Sequence, residues 1–254
     1  MLKRLIIGLL LSLCFPLLSA AADVKLGDVI GTLETPFKVE TKSSEQIKDF
    51  SANFVQESHI ASIDRTQHGQ GTVQFKFTAA VAQKSSQAKF HWNYRKPTVQ
   101  EIISDGQTMW VYLPENRQVI ESDLSKMDAQ QGENPITFLS DLGNLSHDFI
   151  ISWGGTLVVE KGGYLLQLKP RKPSQFIQKI EVIVSEKAVN SWLKKDNSSK
   201  IFPIILTRVT DPNGNITTIE FRDVQVNQKL ADNLFTFKRP DGVELVDPAE
   251  QMGF

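Results

Sequence analysis

Residues 90–113 read FHWNYRKPTVQEIISDGQTMWVYL and contain the clearest strand pattern in the chain. Phe90, Trp92 and Tyr94 alternate with polar residues, which is the period of a strand with one apolar face. Asp105-Gly106, between the runs Val99–Ser104 and Gln107–Leu113, is a strong signal for a two-residue hairpin turn. This stretch therefore predicts consecutive antiparallel strands.

The hairpin also predicts which side chains share a face. With a two-residue turn, Ser104 faces Gln107 and Ile102 faces Met109. One face then carries Ile102, Met109 and Val111, and the other carries Glu101, Ile103, Trp110 and Tyr112. The first face is the better candidate for the interior. The second strand is apolar on both sides, which predicts either cover on both faces or an exposed aromatic patch, although an ordinary two-layer core is also compatible with it.

Other segments extend the strand pattern in both directions. Val73, Phe75 and Phe77 alternate before the quoted stretch, and further strands are predicted at Phe149–Trp153, Leu157–Glu160, Tyr164–Lys169, Lys179–Ser185, Ile204–Thr210 and Ile216–Val226. The total is about ten strands without βαβ alternation. We therefore predict a mainly β chain with one large antiparallel sheet, curled into an open barrel and covered by helices on one side.

Three segments have helical spacing. Apolar residues recur at intervals of three and four over Leu26–Phe37. A second helix is predicted from Ser43, where a capping box precedes Ile47, Phe50 and Phe54. A third is predicted over Asn134–Gly143, where Pro135 occupies the first position and the apolar face consists of Ile136, Phe138, Leu139 and Leu142.

The N-terminus has the pattern of a secretory signal peptide. Lys3 and Arg4 precede the apolar run Leu5–Leu18, and small residues follow up to Ala22. A spanning helix needs about 20 apolar residues, so a membrane anchor fits less well. Acylation at Cys14 is the other alternative, but Leu13 before it is not small and the apolar run continues past it. We predict cleavage after Ala22 or Ala21, leaving one domain over residues 23–254.

The remaining composition favours binding over catalysis. Without Lys3 and Arg4 the 28 basic residues become 26 against 29 acidic ones, which gives no sign of a nucleic-acid partner. The four histidines lack metal-ligand spacing, and Ser191 with Lys194 matches Ser-x-x-Lys without the companion motifs of penicillin-recognising enzymes. We therefore predict no catalytic residue, no metal site and no cofactor.

Several motifs together resemble the outer-membrane lipoprotein carrier family, LolA. The motifs are Phe90–Pro97, Ile103–Tyr112, Gln118-Val119, Phe54-Val55-Gln56, Asn134-Pro135 with Phe138-Leu139, and Phe235-Thr236-Phe237 with Pro240–Glu244. Of these, Phe54-Val55-Gln56 resembles the end of the family's N-terminal helical region. The resemblance implies an incomplete antiparallel β-barrel, a half-barrel, with helices covering the concave face. It also implies a periplasmic monomer that takes acylated lipoproteins from an inner-membrane ABC transporter to an outer-membrane acceptor lipoprotein.

The resemblance also implies where the acyl chains bind. The expected cavity residues are Phe75, Phe77, Phe90, Trp92, Ile102, Met109 and Val111, and the expected lid residues are Ile136, Phe138, Leu139 and Leu142. One position departs from the family. Family members usually carry Arg-Pro shortly before Phe-x-Trp, and the arginine helps to hold the lid closed, whereas this chain has Ser85-Ser86-Gln87-Ala88-Lys89. A loosely held lid is therefore expected.

Three functions remain open on the sequence. The first is a lipoprotein carrier, the second a related protein that binds another envelope lipid or senses envelope stress, and the third an unrecognised periplasmic hydrolase. A sensor would normally need a further domain to transmit its signal. A hydrolase would need a convergent cluster of polar groups in its pocket.

The signal-peptide pattern predicts that the protein is exported and processed. Protein recovered from the periplasmic fraction should begin at Asp23 or Ala22, as determined by mass spectrometry of the intact chain. Mature protein that begins with an acylated Cys14 would contradict this prediction.

Overall fold

The fold is described by a computed structural model over residues 24–77, 88–124, 137–155, 162–196 and 200–246. These ranges contain twelve strands in one sheet. The strands are β1 Asp49–Ile60, β2 Arg65–Lys76, β3 Lys89–Lys96, β4 Gln100–Ser104, β5 Thr108–Leu113, β6 Gln118–Asp123, β7 Phe149–Trp153, β8 Gly163–Pro170, β9 Lys179–Ser185, β10 Ile204–Thr210, β11 Ile216–Val226 and β12 Glu244–Val246. The predicted signal peptide and the predicted strand Leu157–Glu160 lie outside the described residues.

The sheet is open, as predicted. Its strand order is β12-β6-β5-β4-β3-β2-β1-β11-β10-β9-β8-β7, so β12 and β7 form two separate edges. Neighbouring strands are antiparallel except for β12, which pairs with β6 in parallel. The long strands β1 and β2 lie in the middle and pair over their whole lengths, from Asp49 with Lys76 to Ile60 with Arg65.

The turn between β4 and β5 is longer than predicted. Ile102 pairs with Val111 and Ser104 with Met109, so the predicted register, with Ile102 facing Met109, is wrong by two residues. The Asp105 carboxylate accepts hydrogen bonds from the amides of Gln107 and Thr108, both at 2.8 Å, and Gly106 has a φ of 94°. These bonds extend the turn to four residues. Side chains alternate with period two, so this shift leaves every residue on its predicted face.

The predicted second helix is wrong, because its residues from Asp49 onward belong to β1. Phe50, Ala52 and Phe54 are buried at alternate positions of that strand. Its backbone pairs with β2 on one side and β11 on the other. The spacing of Phe50 and Phe54 fits both a helix and a strand, and pairing with two neighbours favoured the strand. Phe54-Val55-Gln56 therefore does not end a helical region in this chain.

The helices pack on one face of the sheet. Helix α1, Leu26–Glu34, continues into a 3₁₀ turn at Thr35–Phe37, which confirms the first predicted helix. Helix α3, Glu186–Leu193, was not predicted. It approaches α1 so closely that a Cβ at Gly31 would lie 2.9 Å from the Trp192 ring. Short 3₁₀ turns also occur at Ala61–Ile63, Pro114–Asn116 and Asp232–Phe235.

The third predicted helix is only partly an α-helix. The structure has a 3₁₀ segment, Thr137–Asn144, with a non-helical residue at Asp141, followed by the short helix α2, Leu145–Asp148. We call Thr137–Asp148 the helical cover. Asn134, Pro135 and Ile136 lie outside the described residues. None of the helices in the described ranges has the length and apolar character needed to cross a membrane.

The C-terminal segment covers part of the opposite face of the sheet. Phe237 packs against Trp110 and Tyr112, with ring centroids 6.1 and 5.5 Å away, and Phe235 is 1% exposed. Asp232 accepts bonds from Lys76 at 3.2 Å and Lys89 at 2.9 Å. All six residues of β5 are half-buried, so the strand is partly covered on both faces, which is one of the alternatives that its sequence left open.

If the C-terminal segment is an integral part of the fold, Phe235→Ala should lower the free energy of unfolding by about 3–5 kcal/mol, because it leaves a cavity under the segment. Denaturant unfolding would measure this change. Phe176→Ala is the matched control, since Phe176 is 38% exposed and should have an effect of less than about 1 kcal/mol. Equal effects of the two variants would contradict this account of the segment.

Candidate functional site

The predicted cavity residues on the sheet share one face of four neighbouring strands. Phe75 of β2 pairs with Phe90 of β3, and Trp92 of β3 pairs with Ile102 of β4. On β5, Val111 pairs with Ile102, and Met109 pairs with Ser104. Because cross-strand partners point to the same side, these side chains form one surface. We call it the inner face.

Aromatic rings dominate the inner face. The Phe75 ring stacks on Phe50 at 5.1 Å and lies 5.5 Å from Phe90 and 6.1 Å from both Trp92 and Phe77. Phe75, Phe90 and Trp92 are almost completely buried, whereas Phe77, Met109 and Val111 are only partly buried at the margin of the same cluster. The structure thus brings together all seven residues that the sequence assigned to this surface.

Sequence reasoning missed a second group of aromatic residues in the same cluster. Phe50 and Phe54 were assigned to a helix, although their alternation with Ala52 was visible in the sequence. Phe221 occupies an alternate position of β11, and Phe202 precedes β10, where its ring lies 4.2 Å from Phe50. No sequence signal connects Phe202 with Phe50, because 152 residues separate them. The cluster therefore extends from β3 to β11 across the centre of the sheet.

The helical cover contributes its own apolar side chains to the same buried cluster. Phe138, Leu139, Leu142 and Leu145 are buried in the same cluster as Val29 and Leu33 of α1. Ile136, the remaining predicted lid residue, lies outside the described residues. The inner face is therefore packed against protein rather than open to water.

A cleft of about 470 Å³ opens at the margin of the cluster. Phe77 lines it together with Phe37, Pro36 and Ile47, and the Phe37 and Phe77 rings meet edge to face at 4.8 Å. Lys38 and Lys48 lie at its rim, where Lys48 Nζ donates to Ser43 Oγ at 2.6 Å. The volume is in the range of small-molecule sites, and the apolar wall of the cleft continues into the inner face.

Polar groups within the cluster are few. The Tyr94 hydroxyl donates to Gln56 Oε1 at 2.8 Å, and burial raises the pKa of Tyr94 far above its ordinary value, so it stays neutral. The Trp92 Nε1 is buried without a hydrogen-bond partner among the described residues. Such a surface suits hydrocarbon better than a polar ligand.

The candidate Ser-x-x-Lys pair is engaged elsewhere. Ser191 Oγ donates to the Asp196 carbonyl at 3.2 Å, and Lys194 is exposed at the end of α3.

Within the ranges that the structure describes, no group of three or more His, Cys, Asp or Glu residues could hold a metal ion. His91 bonds the Glu101 carboxylate at 3.0 Å on the opposite face of the sheet, and this bond lowers the pKa of Glu101.

One carboxyl group in the helical cover has a perturbed pKa. Burial raises the pKa of Asp141 above its ordinary value, although Asn144 donates to its Oδ1 at 2.8 Å and opposes the shift. Asp148 raises this pKa further, whereas His147 lowers it. The ionised Asp141 is therefore held in the cover at some cost in stability.

A family model and the curated relatives indicate one family for this chain. The model of the family described as "Outer membrane lipoprotein carrier protein LolA" matches residues 45–238. A protein of Methylobacillus flagellatus named outer-membrane lipoprotein carrier protein is 24% identical over 225 residues, covering 86% of this chain and 95% of its own. A protein of the same name from Legionella pneumophila is 30% identical over 161 residues, covering 62% of this chain and 68% of its own. A solved LolA superfamily structure from Nitrosomonas europaea aligns with a TM-score of 0.37 and 14% identity, covering 84% of this chain and 96% of its own.

The raised pKa of Asp141 predicts a pH-dependent stability. The folded protein holds this proton more tightly than the unfolded chain, so ionised Asp141 destabilises the fold above its folded-state pKa. The cost disappears as the pH falls below the unfolded value of about 3.9. Asp141→Asn should therefore raise the unfolding midpoint at pH 7, and the gain should shrink as the pH is lowered towards 4. Asp241→Asn, at an exposed turn, is the control, and a gain for Asp141→Asn that does not change with pH would contradict the assignment.

Proposed function

Because the chain belongs to the LolA family of outer membrane lipoprotein carrier proteins, we propose that it carries lipid-modified proteins with their acyl chains on the inner face of its sheet. In this proposal the protein acts in the periplasm and moves its cargo from the inner to the outer membrane. An ABC transporter of the inner membrane supplies the cargo, and an acceptor lipoprotein of the outer membrane receives it. The protein is a monomeric carrier and not an enzyme.

The observation that carries the proposal is the continuous aromatic and aliphatic inner face beneath a small helical cover. Each methylene that leaves water contributes about 0.8 kcal/mol, so acyl chains cannot cross an aqueous compartment uncovered. An open sheet can offer acyl chains a broad apolar surface. Because its two edge strands are not paired with each other, the cover can move without breaking hydrogen bonds between strands.

Competition with the helical cover gives the carrier a moderate affinity. In the closed form, the inner face shares one buried cluster with Phe138, Leu139 and Leu142. Acyl chains therefore have to displace side chains of similar apolarity, and the free energy of that displacement is subtracted from the free energy of binding. The net affinity is lower than that of a preformed empty cavity, which allows the cargo to be released to an acceptor.

The cleft beside Phe77 is the proposed point of entry. The described apolar cluster reaches the surface there, next to Phe77, which is one of the half-buried predicted cavity residues. An acyl chain that enters between Phe37 and Phe77 would meet the Phe50 and Phe75 rings, whose centroids lie 6.2 and 6.1 Å from that of Phe77. The glycerol and peptide parts of the cargo would remain outside the cleft.

Native mass spectrometry would identify the cargo. Protein purified from its own periplasm should carry masses of acylated peptides or lipoproteins. Phospholipid or another envelope lipid as the bound species would favour the related lipid-binding or sensing function instead.

A charge on the inner face should weaken lipid binding, whereas the same charge on the opposite face should not. Met109→Glu places a carboxylate where acyl chains are proposed to lie, and it should weaken binding at least about tenfold because the charge loses its hydration. Tyr112→Glu is the matched control on the same strand. Binding of a fluorescent triacylated cysteine peptide, followed by anisotropy, measures the effect after circular dichroism has verified folding. If Tyr112→Glu weakens binding as much as Met109→Glu, the inner face is not the site.

A further inference from the structure

Glu34, at the end of α1, has a buried charge that the apolar site does not require. It is 4% exposed, and one carboxylate oxygen accepts a hydrogen bond from the backbone amide of Ser146 in the helical cover. The other oxygen pairs with Lys38 Nζ at 3.1 Å. A carboxylate can be buried only if such partners offset the loss of its hydration. The bond to Ser146 therefore stabilises the closed position of the cover.

Arg171 holds the same residue of the cover through its carbonyl oxygen. The Arg171 guanidinium, just after β8, donates to the Ser146 carbonyl from Nε at 3.4 Å and Nη2 at 3.3 Å. The backbone amide of Arg171 also donates to the Asp148 carbonyl at 2.9 Å. The guanidinium contacts are exposed, whereas the charge-assisted contact with Glu34 is partly buried, so Glu34 makes the stronger side-chain attachment.

Lys38 makes the attachment by Glu34 reversible. It lies one helical turn beyond Glu34, and its side chain is 40% exposed. When the cover moves away, the carboxylate can turn towards water while it keeps its pairing with Lys38. The Glu34–Ser146 bond can therefore break without leaving an unpaired charge in the core.

From this geometry we propose that Glu34 is a latch that holds Thr137–Asp148 over the inner face and sets the free energy needed for opening. The inference rests on the proposed function, because it describes access to the lipid site. In the loaded state the cover is displaced and the bond to Ser146 is broken. The latch therefore stabilises the empty carrier and not the loaded one.

The latch leads to an unusual expectation for a substitution at a buried residue. Glu34→Gln keeps the size and an acceptor oxygen but removes the charge, which should weaken the bond and raise the population of the open state roughly tenfold. The empty protein should become less stable, yet the triacylated peptide should bind roughly tenfold more tightly, because only the competing closed state is weakened. A purely structural role for Glu34 would lower stability and leave affinity unchanged or reduced.

The experiment measures the affinity of the triacylated peptide and amide exchange in Phe138–Leu142 for wild type, Glu34→Gln and Glu40→Gln. Glu40 is exposed close to the same helix and serves as the control. Tighter binding and faster exchange in Glu34→Gln alone would support the latch. Unchanged or weaker binding by Glu34→Gln, with binding by wild type intact, would overturn it.

Two further outcomes are distinguishable. If the wild type does not bind the peptide, the proposed function fails. The latch is then tested by amide exchange in the free protein alone, and unchanged exchange in Glu34→Gln would overturn the latch as well. If Glu34→Gln does not fold, Glu34→Asp replaces it. The shorter side chain keeps the charge but cannot reach Ser146 equally well, so the same increase in affinity is expected.

Discussion

The inner face of the sheet cannot remain in contact with water. Phe50, Phe75, Phe90 and Trp92 lie side by side on adjacent strands, and a sheet that is open at both edges cannot hide them by closing on itself. Something apolar has to cover this face, and in the empty protein Phe202, α1 and the helical cover share one buried cluster with it. The position of α1, α2 and α3 on the same side of the sheet follows from this requirement.

The two faces of the sheet are covered in different ways. On the outer face, Phe235 is buried and Phe237 packs on Trp110 and Tyr112, and the chain then pairs β12 with β6. On the inner side, the cover is a kinked 3₁₀ segment followed by α2, and charged side chains hold it at Ser146 of α2. A few charge-assisted hydrogen bonds can hold such a segment in place and still let it leave. The exchange of protein for lipid on the inner face is the physical basis of the proposed carrier function.

Much of this arrangement could be predicted from the sequence, because alternation with period two survives errors of detail. The faces of β3, β4 and β5 were assigned correctly although the turn after Ser104 is longer than its Asp105-Gly106 signal indicates. Local spacing failed where long-range pairing decides the structure, as for Phe50 and Phe54 in β1. It also failed for α3, whose position becomes understandable only when Gly31 is seen against Trp192. Glu34 could not be recognised, since its partner lies 112 residues away and is a backbone amide.

The central claim, that acyl chains replace the helical cover on the inner face, can be tested by a distance measurement. The chain has one cysteine, Cys14, in the predicted signal peptide, so spin labels at Asn144→Cys and Thr98→Cys of the mature protein would be the only two. Both positions are exposed, one on the cover and the other on the turn between β3 and β4. Pulsed electron paramagnetic resonance should give one main distance in the empty protein and a longer distance when the triacylated peptide is bound. Full binding of the peptide with an unchanged distance distribution would contradict the account.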